Sequence, residues 1–328
     1  MDTHRLTRRR FMAATGAGIA GLTPQSLAAE TLPDGAESSP APSRKFYTVL
    51  SLGRLGLHGT FEQSVALATK YGFEGVDPDA GLFARLSEDE LEKLLDDLKA
   101  KNIKLGAAGL PLDFRQNESV FNDGLAKLPD VAKALQRAGV RRVSTWVLPC
   151  SNDLTYLQNF RQHATRLRAC ASILHDHGQQ LGLEYCGPRT FWRSQRHSFI
   201  HTLSEMKELQ VAIGMDNLGV QLDSFHWFNA EETPEDIGTL RSRDIATVDL
   251  NDAPRVPLDD QHDGSRELPG ATGVIPVAGF LGALLRIGYD GPIQAEPFNK
   301  ALAALPGDEA CLRTASAIKK AFAAAGTA

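Results

Sequence analysis

Four apolar stretches in the second half of the chain each run into a carboxylate. They read Leu181-Gly-Leu-Glu184, Val220-Gln-Leu-Asp223, Ala246-Thr-Val-Asp249 and Ile293-Gln-Ala-Glu296. A carboxylate at the end of an apolar run is costly to bury unless a cation or hydrogen-bond donors meet it. One such acid is ordinarily a helix cap or a salt-bridge partner. Four in succession repel one another, and a divalent cation turns that repulsion into a ligand set. Oxygen donors suit Mg2+ or Mn2+. The chemistry expected of Glu184, Asp223, Asp249 and Glu296 is therefore the holding of one divalent cation.

Something must bring these acids together, and the pattern of elements supplies it. Short β-rich runs recur at Phe46–Leu52, Gly75–Pro78, Lys104–Gly109, Arg142–Leu148, Gln180–Tyr185, Val220–Ser224, Ile245–Leu250 and Pro292–Glu296. Helical patterns lie between or after them, at Thr60–Tyr71, Ser87–Lys101, Asn117–Ala138, Leu154–His177, Ser198–Leu209, Thr233–Ser242, Val277–Ile287 and Asp308–Ala325. Ser87 followed by Glu90 fits a capping box. Several strand runs lack strict alternation, as expected of parallel strands buried on both faces. Strands alternating with helices imply right-handed βαβ units and a parallel sheet. Eight units in this length predict a single α/β domain, a (β/α)8 TIM barrel over residues 45–328, against a usual size of about 250 residues. The alternative, a doubly wound open sheet, lacks a G-x-G-x-x-G after its first strand. In a barrel, chemistry gathers where the strands end, which is where the four acids fall.

Other residues reach the same mouth. His226 lies three positions past Asp223 and is expected to donate a hydrogen bond to a substrate oxygen; the alternative is packing beside Trp227. Trp146, at the end of the fourth strand, offers an apolar wall for a bound ring, although core packing is the commoner fate of tryptophan. His58 and Asp77 follow the first two strands and line the mouth, or are plain loop residues. Residues 255–275 form a long polar insert carrying Asp259, Asp260, His262, Asp263 and Arg266. Loops of that length in a barrel are usually functional or disordered, and a lid over the metal is one reading. His197 and His201 stand one helical turn apart if that stretch is helical, and are expected on a solvated face. The four cysteines, Cys150, Cys170, Cys186 and Cys311, have no C-x-x-C spacing, and are expected to be mostly buried thiols.

The composition narrows the partners. The formal net charge is −5, which argues against a surface built for nucleic acid. No run reaches the ~18 apolar residues of a membrane-spanning helix. The first 29 residues resemble a twin-arginine export signal. Thr-Arg-Arg-Arg-Phe-Met at 7–12 precedes a weakly apolar Gly/Ala-rich run and small residues at Ser26–Ala29. Cleavage there removes Arg5, Arg8, Arg9 and Arg10 against one acid, Asp2, making the mature chain more acidic. The resemblance implies periplasmic export of an already folded protein. Residues 30–44, with Pro33, Pro40 and Pro42 and almost no large apolar side chain, have linker composition.

Glu184, Asp223 with His226, the strand-seven position and Glu296 together resemble the xylose isomerase-like sugar isomerase/epimerase superfamily. Leu222-Asp-Ser-Phe-His226 and Ala295-Glu-Pro-Phe298 are the most characteristic pieces. The likeness spans residues 46–322, with its specific motifs at 181–299. It implies one divalent metal held at Glu184, Asp223, the strand-seven position and Glu296, with the two glutamates as a facing acid/base pair. It also implies a substrate-contacting role for Arg255, for which a surface salt bridge is an equal reading. At strand seven the chain departs from the pattern: the family's usual histidine is Asp249. The acidic replacement favours a hard cation, Mn2+ or Mg2+, over zinc. Proton removal next to a carbonyl yields an enediolate that a cation stabilises, and each glutamate can serve one face of the substrate.

The leading expectation is a metal-dependent isomerase or epimerase acting on a small carbohydrate. No glycine-rich phosphate cradle follows strands seven and eight, so the substrate is expected to be a non-phosphorylated sugar or keto-sugar. A lyase acting on inososes or 3-keto-glycosides shares the same first step. A non-catalytic periplasmic sugar-binding barrel is the alternative that Asp249 keeps open. The endonuclease branch of the superfamily needs more histidine ligands and a basic groove than this chain has. Barrels of this kind often pair into homo-oligomers, and no interface is legible in one chain.

Overall fold

The computed structural model describes residues 44–327. The expected export signal at 1–29, and the expected linker apart from Arg44, lie outside the described residues. Eight parallel strands follow chain order: β1 (Tyr47–Leu50), β2 (Gly75–Val76), β3 in two segments (Lys104–Leu105 and Ala108–Gly109), β4 (Arg142–Trp146), β5 (Gln180–Glu184), β6 (Leu218–Asp223), β7 (Ile245–Asp249) and β8 (Pro292–Gln294). The first segment of β3 pairs with β2 and the second with β4, while β1 pairs with both β2 and β8. The remaining neighbours are consecutive, so the ring closes. This is the expected (β/α)8 barrel.

The strands are parallel and buried on both faces, as the sequence reading expects. In β5, Gln180, Gly182 and Glu184 share one face and Leu181 and Leu183 the other, because successive side chains of a strand point to opposite sides. The same parity puts Gln221 and Asp223 together in β6. The helix-facing residues Leu181, Leu183, Val220, Leu222, Val248 and Ile293 are all buried, each contributing about 1.5–3 kcal/mol. The inward positions hold small, amide or acidic residues, buried like the apolar ones outside. A β-carbon at Gly182 would lie 2.6 Å from the Ala246 methyl group. Glycine thus lets β5 and β7 approach beneath the site.

The surrounding helices begin where the chain supplies caps. Thr60 with Gln63 and Ser87 with Glu90 form reciprocal capping boxes on Phe61–Tyr71 and Glu88–Ala100. Two expected helices differ from their sequence patterns, one displaced to Leu203–Ile213 and one cut short. The one expected from Ser198 starts at Leu203, where the Thr202 hydroxyl accepts from the Glu205 amide. The residues before it form a two-residue antiparallel ladder, His197–Ser198 against Cys150–Ser151, so His197 and His201 are not on one helical face. Thr233–Ser242 is reduced to a single turn, Pro234–Ile237, followed by a short 3-10 turn at Ser242–Asp244. All four cysteines are free and buried. Among the described residues no helix is long and apolar enough to cross a membrane.

Candidate metal and active site

Each of the four acids lies at or just beyond the C-terminal end of β5 to β8, and the barrel brings them together. One carboxylate oxygen from each of Glu184, Asp223, Asp249 and Glu296 lies within 4.8 Å of the others. His226 joins Glu184 and Asp223 in a second such group. It lies in the first turn of the helix Ser224–Asn229 after β6, where the Asp223 Oδ1 atom accepts from the Phe225 and His226 amides at 2.5 and 3.3 Å. Asp223 is therefore both a helix cap and a site acid. Its Oδ2 atom accepts from Asn251 Nδ2 at 3.0 Å, while Asn251 Oδ1 receives the Glu296 amide at 2.8 Å. Asn251 thus ties the ends of β6 and β8 to one another. Gln221 donates to Asp249 Oδ2 at 2.7 Å.

Two arginines meet the acids. Arg54, from the loop after β1, places Nη1 at 2.5 Å from Glu296 Oε1 and 3.1 Å from Asp249 Oδ1. Arg266 comes from the long loop after β7. Its Nη1 atom lies 2.8 Å from both Asp223 Oδ2 and Glu296 Oε2, and Nη2 lies 2.6 Å from Asp263 Oδ1. Nη2 is also 3.3 Å from His226 Nε2. Sequence reading named Arg266 only as one residue of a polar insert, and it missed Arg54, Asn251 and Gln221 altogether.

The loop that delivers Arg266 is built around Asp252. Its Oδ1 atom accepts the Ala253 and Ile275 amides at 2.8 and 2.9 Å, and Oδ2 accepts those of Thr272 and Gly273 at 2.9 and 2.8 Å. Farther out, Arg189 pairs with Asp259 and Glu231, and Thr190 donates to the Gln261 carbonyl at 2.6 Å. The insert is a fixed wall of the site that spans from β7 to the loops after β5 and β6.

Burial sets the charge states. Glu184 is pushed well above the ordinary carboxylate range, first by desolvation and then by Glu296, Asp249 and Asp223. Desolvation likewise raises Asp249 to about 7, against the opposing pull of Arg54. Burial lowers the His226 pKa, favouring a neutral ring. Asp263 moves the other way: burial would raise it, but Arg266 and His226 together hold it below its usual value. The Cys186 thiol is pushed up by burial and by Glu184, so it is no nucleophile.

Not every expected residue joins the cluster. Trp146 is paired in register with Glu184 and is 38% exposed, so it stands at the mouth rather than in the core. The Arg115 guanidinium lies 4.0 Å from its ring centroid. Arg255 is exposed and donates to the Thr272 carbonyl at 2.7 Å, so it braces the β7 loop outside the cluster, and Arg266 is the arginine that enters. His58 is exposed on the loop after β1, away from these contacts. Asp77 is half-buried near Arg54, and desolvation raises its pKa.

The donor set fits a divalent cation. It is all oxygen, Glu184 Oε1 is buried without a hydrogen-bond partner, and Asp249 Oδ1 has only the Arg54 ion pair. Such orphaned acceptors are expensive unless a proton or a metal meets them.

Closed barrel and acid cluster together define a class. Residues 65–321 match the family described as Xylose isomerase-like TIM barrel, and the chain belongs to that family. It is 28% identical over 265 residues to a 3-dehydroshikimate dehydratase of Pseudomonas putida, covering 78% of this chain but only 39% of that protein. The chain thus spans about two fifths of that dehydratase. An inosose isomerase of Bacillus velezensis is 21% identical over 255 residues, covering 77% of this chain and 88% of its own. Among solved structures, a xylose isomerase domain protein from Alicyclobacillus acidocaldarius superposes with a TM-score of 0.75 at 30% identity, covering 86% and 99% of the two chains. The IolI protein with a bound zinc atom superposes with a TM-score of 0.69 at 20% identity, covering 86% and 98%.

Proposed function

We propose that this protein is a divalent-metal-dependent enzyme that removes a proton next to the carbonyl of a non-phosphorylated sugar or cyclic polyol ketone. In the leading reading it isomerises that substrate. Glu184, Asp223, Asp249 and Glu296 would hold the cation, with Mn2+ or Mg2+ favoured by the all-oxygen set. When bound, the cation would stabilise the negative charge developing on the substrate oxygen. Glu184 supplies the base, because its Oε1 atom is buried, unpartnered and 3.8 Å from His226 Nε2. That single observation carries the reading. Neutral His226 can pass a proton between adjacent substrate oxygens. Trp146 offers an apolar face at the mouth, and the β7 loop limits water.

The second reading, loss of water from the same enediolate, is favoured by the likeness to the dehydratases and begins with the same proton. Export through the twin-arginine route belongs to the proposal, on the strength of residues 7–29.

The test is metal content of the signal-free protein, reloaded with Mn2+, beside Glu184→Gln and Asp223→Asn. About one Mn per chain is expected in the wild type and less in either variant. Deuterium from D2O should then enter keto-sugars or an inosose next to the carbonyl. Glu184→Gln should slow that exchange by about 10²–10⁴. Metal binding without exchange on any of them would leave a sugar-binding barrel instead.

A further inference from the structure

The helix Ser224–Asn229, which carries His226, is tied down at its far end by two consecutive glutamates. It closes through the Ala230 amide on the His226 carbonyl at 2.9 Å, Glu231 on Phe228 at 3.1 Å and Glu232 on Trp227 at 3.2 Å. That closure sets Glu231 at a φ of 58°, a left-handed conformation that costs energy for a residue with a β-carbon. Both carboxylates then return to the loop after β5. The exposed Glu231 pairs with Arg189. The half-buried Glu232 accepts from the Tyr185 hydroxyl at 2.5 Å through Oε2. Its Oε1 atom accepts from the Leu203 amide at 2.6 Å, at the head of the helix Leu203–Ile213. Between these ties the two segments touch: a β-carbon on Gly187 would lie 2.3 Å from the His226 carbonyl oxygen and 2.9 Å from the Ala230 nitrogen. Residues 185, 187 and 189 thus bear in turn on the helix of His226 or on the residues that end it. None of these contacts involves the four acids.

We infer that Glu232 is a positioning residue: by gripping Tyr185 and the head of Leu203–Ile213 it fixes the short helix that presents His226 to the substrate. The part given to His226 rests on the reading of the site proposed above; the clamp itself rests on the contacts just described. A helix of six residues has too few internal hydrogen bonds to hold its own place, so its ends decide where it lies. Asp223 fixes the first end and Glu232 the last. Glu232 also meets solvent, because with Lys207 and Asp236 it lines a polar cleft of about 290 Å3. Burial raises its pKa to about 7, with Asp236 adding to the rise and Tyr185, the Leu203 amide and Lys207 opposing it. Glu205, on the first turn of the same helix as Lys207, is taken up by the His201 amide and the Thr202 hydroxyl. Near neutral pH, then, Glu232 exchanges its proton through the cleft. Ionised, it accepts two charge-assisted hydrogen bonds. Protonated, it keeps the Leu203 amide on one oxygen and donates to the Tyr185 oxygen with the other. Glutamine reproduces only this second arrangement, and leucine neither.

The experiment compares Mg2+-loaded wild type with Glu232→Leu and Glu232→Gln, with the histidines isotopically labelled for NMR. The His226 ring signal is identified by its loss in His226→Asn. In Glu232→Leu that signal should shift, and turnover of an inosose should fall in kcat by about 10–100-fold with little change in KM. Glu232→Gln should restore most of both. In the wild type the His226 signal should also move in a step centred near pH 7, the Glu232 ionisation, and the step should be absent from Glu232→Gln. A His226 signal in Glu232→Leu that keeps its wild-type position overturns the inference, even if kcat falls. Should Glu232→Leu fail to fold, the step in the wild type and its absence from Glu232→Gln decide alone, and a step that survives in Glu232→Gln overturns the inference. A wild type that turns over no keto-sugar or inosose, yet shows the His226 shifts, defeats the enzyme reading and still supports the clamp.

Discussion

Arg266→Met tests whether the β7 loop is held down by charge. The guanidinium side chain is 1% exposed and meets Asp223, Glu296 and Asp263 at 2.6–2.8 Å. Methionine keeps the apolar stem between Phe225 and Phe298 but leaves three carboxylates without their common partner. Removing one member of a buried ionic network costs about 3–5 kcal/mol. At about 2–4 °C per kcal/mol for a domain of this size, the melting midpoint should fall by roughly 6–20 °C. The assay is thermal unfolding in EDTA, repeated with Mn2+. The cation restores positive charge where the guanidinium was, so Mn2+ should raise the midpoint of the variant more than that of the wild type. Ligand at about 100 times its dissociation constant is worth about 2.7 kcal/mol, enough to read. Arg189→Met is the control: it removes the same charge from exposed pairs with Asp259 and Glu231, which contribute little to stability. A midpoint for Arg266→Met within about 2 °C of wild type in EDTA would refute the argument, because it would mean less than about 1 kcal/mol was at stake.

The pH dependence should invert with metal. Glu184 and Asp249 titrate higher in the folded chain than unfolded, so their stabilising contribution is complete below the unfolded carboxylate range and is lost as pH rises through the raised values, about 7 for Asp249. Metal-free protein should therefore melt lower at pH 8 than at pH 5.5, and Asp249→Asn should flatten that slope. Mn2+ affinity, by titration calorimetry, should instead rise with pH across the same window, since the cation needs both carboxylates ionised. Asp252→Ala removes the acceptor for four backbone amides. Amide exchange in 255–275 should speed up at least about tenfold, the equivalent of one charge-assisted hydrogen bond, while the strands keep their protection. Trp146→Ala should raise KM with little change in kcat, because the ring flanks the acids without touching them; an equal fall in kcat would place it in the chemistry.

The acids were legible in the sequence because each falls at the end of its own strand or, for Glu296, two residues beyond it. Leu-Gly-Leu-Glu184 and Gln-Leu-Asp223 carry strand, parity and carboxylate in one local word. The barrel was legible for the same reason: every unit declares itself within a few dozen residues. Helix ends were less so. Ser198–Leu209 has helical spacing throughout, yet its first residue pairs with Cys150, 48 positions earlier. Nothing local announces such pairing, and a two-residue ladder outweighs propensity at a helix end.

The arginines mark where local reading stops. Arg54 is separated from Glu296 by 242 positions and Arg266 from Asp223 by 43, and neither sits in a run that marks it as buried. Only closure of the ring sets β1 beside β8, and only the Asp252 anchor turns the β7 insert inward. A sequence pattern shows which groups must be neutralised, not what neutralises them. Four acids read alone suggest two equivalent glutamates facing each other across a metal. With the arginines in place the glutamates are unequal: Glu296 is gripped on both oxygens, and Glu184 is left beside His226 with a free one. The departure at Asp249 belongs to the same balance. A histidine there would bring no charge, whereas aspartate adds a negative one within 3.1 Å of Arg54. The extra acid and the arginine beside it are best understood as a pair.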